Sequence, residues 1–269
     1  MSILQALVLG AVQGLTEFIP ISSSGHLVLV PEALGWQEPG LAFDVLLHAA
    51  SLLALLVYFS GDLLDLVRGT IQGNKESRRL AMLLAVGTVP AGAAGLVWGD
   101  FFEDQFSNAS AAAIQLLVTA VILVAAERAL AFHLRRTARR AQPLRGMQDL
   151  AAGDATTIGV AQAISILPGI SRSGATIGAG LGLAMDRSAA ARFAFLLAIP
   201  ALAGAAIVKV PDLGGTSLGA GAGLAGFLAS LITSYGAIWG LIKYLRTRSL
   251  YPFAAYCVVA GVLFYLVVN

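Results

Sequence analysis

The sequence predicts an all-α polytopic membrane protein, built from six transmembrane helices and two re-entrant helix pairs. Only 12% of its 269 residues are charged and 58% are apolar, whereas roughly a quarter of the residues of a soluble protein are charged. The mean hydropathy is +0.82. Apolar runs of about 20 residues recur along the chain, and a helix of that length crosses a hydrocarbon core of about 30 Å. These observations exclude a soluble enzyme, a disordered regulator and a fibrous protein.

Six segments are long and apolar enough to span a membrane. They lie at about Leu41–Phe59, Leu80–Trp98, Ala111–Phe132, Ala190–Val208, Leu218–Ile242 and Tyr251–Val268. We expect one integral membrane domain over residues 1–269, with a first repeat at about 1–132, a basic loop at about 133–150 and a second repeat at about 151–269.

The charges of the connecting loops predict an orientation. Loops 60–79, 133–150 and 243–249 carry Lys and Arg, whereas loops 34–40 and 99–110 carry neither. By the positive-inside rule the basic loops are cytoplasmic, which puts both termini outside. The basic loops are expected to face anionic lipid. A net charge of +2 is too small for a nucleic-acid partner.

Two further apolar stretches, residues 2–33 and 156–185, are interrupted in the middle by Pro, Gly and Ser. Each flank of about 12 to 15 residues reaches only about halfway across a bilayer. The pattern predicts two re-entrant helix pairs, the first entering from outside and the second from the cytoplasm.

The two broken stretches resemble each other. Residues 13–25 align on residues 162–174 without a gap, at a constant offset of 149. The coinciding pairs are Gln13/Gln162, Ile21/Ile170, Ser22/Ser171, Ser24/Ser173 and Gly25/Gly174. Each stretch is followed by three spans, and an odd number of crossings inverts the second copy. Inverted repeats with broken helices place a binding site where half-helix N-termini meet.

The second motif has the chemistry of an anion site. Arg172 follows a Pro-Gly break and stands among Ser171, Ser173, Gly174 and Thr176 at the start of an apolar helix. Exposed N–H groups, hydroxyls and a guanidinium together bind phosphate oxygens. The alternative is a helix cap made by one of the serines, with Arg172 reaching toward the interface.

The first motif supplies groups for acid–base or nucleophilic chemistry. Gln13 and Glu17 are four residues apart and share a helix face. Glu17 could hold a divalent cation, act as a base or orient His26. His26 could attack phosphorus, or accept the proton of an attacking Ser or water. An interfacial histidine bonded to a carbonyl is the alternative. Asp44 and His48, also four apart, are either ordinary polar contacts or supporting groups of the site.

These residues favour phosphoryl transfer, in which positioning and charge neutralisation provide most of the catalysis. The sequence contains no Walker motif and no zinc-ligand cluster. A pocket walled by membrane helices favours a lipid phosphate or pyrophosphate over a soluble nucleotide.

The Gln13-x-x-x-Glu17 and Ser-Ser-Ser-Gly-His26 elements, with Pro168-Gly-Ile-Ser-Arg-Ser-Gly-Ala-Thr176, resemble the bacterial undecaprenyl-diphosphatase family of the bacitracin-resistance type. The resemblance implies a phosphatase of the bacterial plasma membrane that converts undecaprenyl pyrophosphate to undecaprenyl phosphate. It would recycle the lipid carrier of peptidoglycan synthesis, with Mg²⁺ or Ca²⁺ as cofactor. It assigns Gln13 and Glu17 to the metal, Glu17, Ser23, His26 and Arg172 to catalysis, and Ser22, Ser24, Ser171, Ser173, Gly174 and Thr176 to substrate phosphate.

Several alternatives remain open at this point. One carboxylate at the metal position suggests an ion shared with substrate phosphates. Either Ser23 or His26 could be the nucleophile, and the cavity is expected to open on the outer face. The same architecture would suit a flippase for polyprenyl phosphate. A structural scaffold would gain nothing from buried Glu, His and Arg. A homodimer is left open.

Overall fold

The computed structural model describes residues 1–37, 40–106, 108–140, 143–209 and 219–268. The side chains of Arg139 and Arg140 lie outside this description, as do residues 38–39 of the predicted outer loop and the predicted helix start at Leu218. All regular elements in the described ranges are helical, apart from one isolated bridge between Arg145 and Met185.

Twelve α-helices follow one another in this described part of the chain. They are α1 (Ile3–Phe18), α2 (Ser23–Ala33), α3 (Leu41–Tyr58), α4 (Ser60–Ile71), α5 (Lys75–Val97), α6 (Gly99–Phe106), α7 (Ala109–Arg140), α8 (Ala152–Ile164), α9 (Arg172–Gly182), α10 (Arg187–Lys209), α11 (Ala220–Leu245) and α12 (Tyr251–Val268). A short 3₁₀ turn, Met147–Asp149, precedes α8.

The six predicted spans are confirmed as long apolar helices, namely α3, α5, α7, α10, α11 and α12. Some predicted loops are helical instead. Helix α7 continues to Arg140 because the Ala, Leu and Arg residues after Phe132 favour helix. Helices α4 and α6 occupy parts of loops 60–79 and 99–110. Their charged and apolar residues alternate with helical spacing, and none of their residues is buried in the protein, a pattern typical of helices at a membrane interface.

The two broken stretches each form a pair of packed short helices, which we call the first hairpin (α1 with α2) and the second hairpin (α8 with α9). The tip of each hairpin is the turn between its two helices. The helices contain 16, 11, 13 and 11 residues. An 11-residue helix is about 17 Å long, little more than half of a hydrocarbon core. The breaks fall at residues 19–22 and 165–171, where the sequence places its Pro, Gly and Ser residues.

Each hairpin packs its first helix against a span from the other half of the chain. Helix α1 crosses α11, and a Cβ added to Gly10 would lie 2.3 Å from the Gly226 carbonyl oxygen. Helix α8 crosses α5, where a Cβ on Gly159 would lie 2.2 Å from the Gly87 carbonyl oxygen. Both backbones therefore approach so closely that only glycine fits.

The core behind the hairpins is aromatic and fixes the end of α1. Phe18, the last residue of α1, meets Phe195 of α10 edge-on with ring centroids 5.4 Å apart, and Phe59 packs on the same Phe195 ring. All three rings are buried. Such pairs contribute beyond their buried area, so the first hairpin turn, which begins at the next residue, rests on a rigid base.

Candidate functional site

The tips of the two hairpins meet. An Arg172 Nη2 atom lies 2.9 Å from Glu17 Oε1, which joins the start of α9 to the end of α1. The backbones touch as well, since a Cβ on Gly25 would lie 3.0 Å from the Gly169 Cα atom. The predicted site residues of the two motifs are thus brought together from positions about 150 residues apart.

Glu17 is the centre of this arrangement and is buried, with 6% of its surface exposed. Its Oε2 atom accepts a hydrogen bond from Gln13 Nε2 at 3.0 Å and another from the Ser23 hydroxyl. His48 Nε2 lies 3.8 Å from the same oxygen. A buried carboxylate is tolerable only when paired and hydrogen-bonded, and here Arg172 and two donors meet that need.

The N-terminal turn of α2 presents its hydroxyls and N–H groups at the tip. Ser22 caps the helix by accepting a hydrogen bond from the Gly25 N–H at 3.3 Å, and its hydroxyl lies 3.3 Å from that of Ser24. Ser22 has φ of 69°, a conformation that costs about 1–3 kcal/mol outside glycine. Such strain is concentrated at functional sites, where the surrounding structure holds it.

The N-terminal turn of α9 repeats this pattern. Ser171 accepts from the Gly174 N–H at 3.1 Å, and its hydroxyl lies 3.2 Å from that of Ser173. Thr119 of α7 anchors the preceding turn, because its hydroxyl donates to the Gly169 carbonyl at 2.8 Å and accepts from the Ser171 N–H. Gly169 needs a positive φ of 100°. Two helix N-termini therefore face the same junction.

His26 and Thr176 are buried but have partners of their own. His26 Nδ1 lies 2.7 Å from the Ser22 carbonyl oxygen and Nε2 lies 2.7 Å from the Tyr256 hydroxyl. The Thr176 hydroxyl donates to the Arg172 carbonyl at 2.8 Å. In this arrangement Ser23 is hydrogen-bonded to Glu17 rather than to His26.

Three residues join the site that the two motifs do not contain, namely Thr119, Tyr256 and His48. The spacing of His48 from Asp44 signalled a polar contact, and the structure gives His48 Nδ1 a bond to the Asp44 carbonyl at 2.8 Å. Thr119 and Tyr256 lie in apolar spans, and nothing in the linear sequence distinguishes them from other Thr and Tyr residues there.

A second ion pair fixes the start of the second hairpin. Arg145 donates two hydrogen bonds to Asp154 in the first turn of α8. Those bonds from Arg145 lower the pKa of Asp154 below its ordinary value, against the opposing effect of its partial burial. The Asp154 carboxylate also accepts from the Ala151 N–H and so caps α8.

A divalent cation at this site would need several oxygen ligands. Among the residues that the structure describes, no three His, Cys, Asp or Glu side chains form a cluster for a metal. Gln13 Oε1, however, is buried without a hydrogen-bond partner, on the amide whose Nε2 donates to the Glu17 carboxylate. These two oxygens fit an ion that takes its remaining ligands from substrate phosphates and water, as Mg²⁺ commonly does.

Beside these oxygens, the junction contains groups that favour an anion. The starts of α2 and α9 lie at this junction with their serine hydroxyls, and the Arg172 guanidinium and the Ser23 hydroxyl both contact the Glu17 carboxylate. Helix N-termini and Arg both favour anions. The fold and the site thus define a polytopic α-helical membrane protein in which two helix starts, a buried Glu and an Arg meet at one polar junction.

The chain belongs to the bacitracin resistance protein BacA family, whose model matches residues 6–263. It is 39% identical over 279 residues to an undecaprenyl-diphosphatase of Methanosphaera stadtmanae, covering 98% of this chain and 97% of the relative. It is 41% identical over 270 residues to one of Pelobacter propionicus, covering 97% and 95%. An undecaprenyl-diphosphatase of Idiomarina loihiensis is 36% identical over 99% of both chains. These names are those of phosphatases, and they do not favour the flippase alternative.

Proposed function

We propose that this chain is a membrane phosphatase that hydrolyses undecaprenyl diphosphate to undecaprenyl phosphate and inorganic phosphate. The family and the phosphatase relatives support the reaction. The observation that carries the location of the site is the Arg172–Glu17 ion pair between the hairpin tips. A lipid diphosphate would enter with its head group at the two N-termini and its isoprenoid chain among the apolar helices.

The chemistry follows from the hydrogen bonds. Ser23 Oγ attacks the terminal phosphorus and its proton moves to Glu17 Oε2, its hydrogen-bond acceptor. The bond from phosphorus to the bridging oxygen breaks, and undecaprenyl phosphate leaves with that oxygen. Water then attacks the phosphoserine phosphorus, the bond from phosphorus to Ser23 Oγ breaks, and Glu17 returns its proton to Ser23 Oγ as inorganic phosphate leaves with both hydrogens of the water. We favour Ser23 over His26 as the nucleophile because both nitrogens of His26 already have partners.

Arg172 and the helix N-termini stabilise the developing charge. In the substrate complex the guanidinium would exchange part of its pairing with Glu17 for phosphate oxygens, which it can bind in a bidentate manner. The N–H groups of the first turns of α2 and α9, with the hydroxyls of Ser22, Ser24, Ser171 and Ser173, would bind the remaining oxygens. Thr176, whose hydroxyl donates to a carbonyl, would need to turn to join them.

Gln13 and Glu17 would hold a Mg²⁺ or Ca²⁺ ion together with the substrate. The ion, when bound, would neutralise diphosphate charge. The unpartnered Gln13 Oε1 supports this assignment, because a buried acceptor without a partner is unfavourable until a ligand satisfies it.

We further propose that the hairpins are re-entrant and form an inverted repeat. The Ser22–Ser24 and Ser171–Ser173 caps correspond at an offset of 149, as do the glycine crossings at Gly10 and Gly159. Pro20 and Gly169 are also 149 apart, and the carbonyl of each accepts from a side chain on the third span of one half of the chain. These contacts are made by Cys257 of α12 at 3.8 Å and by Thr119 of α7 at 2.8 Å. The loop charges support an outward-facing site in the plasma membrane with both termini outside.

Phosphate release from undecaprenyl diphosphate by the purified, reconstituted protein tests the function. Glu17→Gln, Arg172→Met and Ser23→Ala should each lower the rate about 100-fold or more. Glu76→Gln, on the exposed start of α5, should not. A protein that moves polyprenyl phosphate without releasing phosphate would be a flippase instead. Trapped label that is stable to acid would support Ser23, and acid-labile label would support His26.

A further inference from the structure

The ring of His26 is held at both nitrogens. The Ser22 carbonyl oxygen, 2.7 Å from Nδ1, can only accept a hydrogen bond, so Nδ1 carries the hydrogen. In a neutral ring Nε2 then carries the lone pair. The Tyr256 hydroxyl, 2.7 Å from Nε2, is therefore the donor in that bond. This single arrangement of hydrogens satisfies the Ser22 carbonyl, both nitrogens of His26 and the Tyr256 hydroxyl.

Helix α12 frames this histidine from the far end of the sequence. The Tyr256 ring lies at 15° to the His26 ring with centroids 5.7 Å apart, and Phe264 meets His26 edge-on at 6.0 Å. The neighbouring Cys257 packs on the Pro20 carbonyl in the turn between α1 and α2. His26 itself is 4% exposed, so its ring has little freedom to reorient while α12 stays in place.

We propose that Tyr256 is a positioning residue of the hydrolytic site, holding His26 in the Nδ1–H form and fixing the direction of its Nε2 lone pair. The proposal rests on the proposed function. Ring nitrogens of a functional histidine are set by the bond that each makes. Because His26 belongs to the first turn of α2, fixing its ring also fixes the turn that carries Ser23 and the phosphate-facing N–H groups.

Tyr256→Phe removes only the hydroxyl and keeps the ring that packs on His26. We expect kcat to fall about tenfold, the change in rate that corresponds to one hydrogen bond. KM should not change, since the hydroxyl is directed to His26 and not to substrate. Tyr251→Phe is the matched control, because it lies on the same helix with similar exposure, 45% against 42%.

A spectroscopic readout separates positioning from a general loss of structure. The chain has three histidines, so ¹⁵N-histidine labelling of the intact protein gives few signals. Tyr256→Phe should shift the Nε2 resonance of His26. It should leave His133, whose Nε2 faces the Gly182 carbonyl at 2.9 Å, unchanged. A wild-type His26 carrying its hydrogen on Nε2, or a resonance that Tyr256→Phe does not move, would overturn the proposal.

The kinetic outcomes are equally distinct. An active wild type with an unchanged or raised kcat in Tyr256→Phe would overturn the role of Tyr256 and leave the phosphatase intact, as would a change in KM alone. A wild type that releases no phosphate would overturn the proposed function and, with it, this role in hydrolysis. The histidine spectrum would still report whether the Tyr256–His26 hydrogen bond exists.

Discussion

Two close helix crossings, α1 on α11 at Gly10 and α8 on α5 at Gly159, give a sharp prediction about the architecture. An alanine Cβ at position 10 would lie 2.3 Å from the Gly226 carbonyl oxygen, and at position 159 it would lie 2.2 Å from that of Gly87. Ordinary contact begins at 3.4 Å, so the helices would have to separate by about 1 Å in an interior packed as densely as a crystal. A backbone oxygen cannot turn aside as a side chain can.

Gly10→Ala and Gly159→Ala should therefore each be destabilised by about 1–3 kcal/mol, the usual cost of overpacking. Alanine also favours helix over glycine by about 1 kcal/mol, and a control must carry the same gain. Gly92→Ala provides it, because Gly92 is helical and has no atom within 4 Å of its added Cβ.

Thermal unfolding in detergent, followed with a thiol-reactive dye, measures the difference. The single cysteine, Cys257, is buried and becomes reactive only as the protein opens. Both crossing variants should unfold at a lower temperature than Gly92→Ala. If either crossing variant unfolds at the same temperature as Gly92→Ala, the close crossing at that position is refuted, and with it the equivalence of the two hairpins.

Three other predictions concern charge. Arg172→Met should destabilise the protein by about 3–5 kcal/mol, because it leaves the buried Glu17 carboxylate without its cation. Adding Glu17→Gln should restore part of that loss. Equal stability of wild type and Arg172→Met in the same unfolding assay would contradict the prediction. The lowered pKa of Asp154 beside Arg145 contributes stability above the unfolded-state pKa of about 3.9, and this stability is lost as the pH falls through the lower folded-state pKa. The difference in unfolding temperature between wild type and Asp154→Asn should therefore shrink below about pH 4. A difference that grows there would contradict the prediction. A chelator should abolish phosphate release. Gln13→Glu should lower the Mg²⁺ concentration that gives the half-maximal rate, since it adds a carboxylate. A rate that does not change with chelator would contradict a role for the ion.

Much of the fold follows from local sequence. An apolar run of about 20 residues has the length of a spanning helix, which satisfies its own backbone in a bilayer, and all six predicted helices are present. The Pro, Gly and Ser residues near positions 20 and 169 lie within a few residues of one another, and such a cluster favours a break in a helix, so both hairpin turns were predictable. The isolated prolines Pro31, Pro90 and Pro200 lie inside helices instead. The repeat of Ser22 and Ser24 in Ser171 and Ser173 also pointed to paired helix starts, which the structure bears out as caps.

What the sequence did not reveal is set by tertiary contacts. Tyr256 lies 230 positions from His26, and its hydroxyl becomes distinctive only when α12 packs on the first hairpin. The pairing of Ser23 with Glu17 likewise depends on how tightly the chain turns at residues 19–22. Helices α4 and α6 were predicted as loops because their charge masked an amphipathic pattern.

The central claim is that the two hairpin tips form one catalytic unit, and a kinetic double-mutant cycle tests it most directly. The measured quantity is kcat/KM for phosphate release by Glu17→Gln, Arg172→Met and the double variant. Residues that act as a unit are strongly non-additive, so the double variant should be no slower than the slower single variant. Multiplication of the two single losses would mean that Glu17 and Arg172 work independently, and would contradict a shared site.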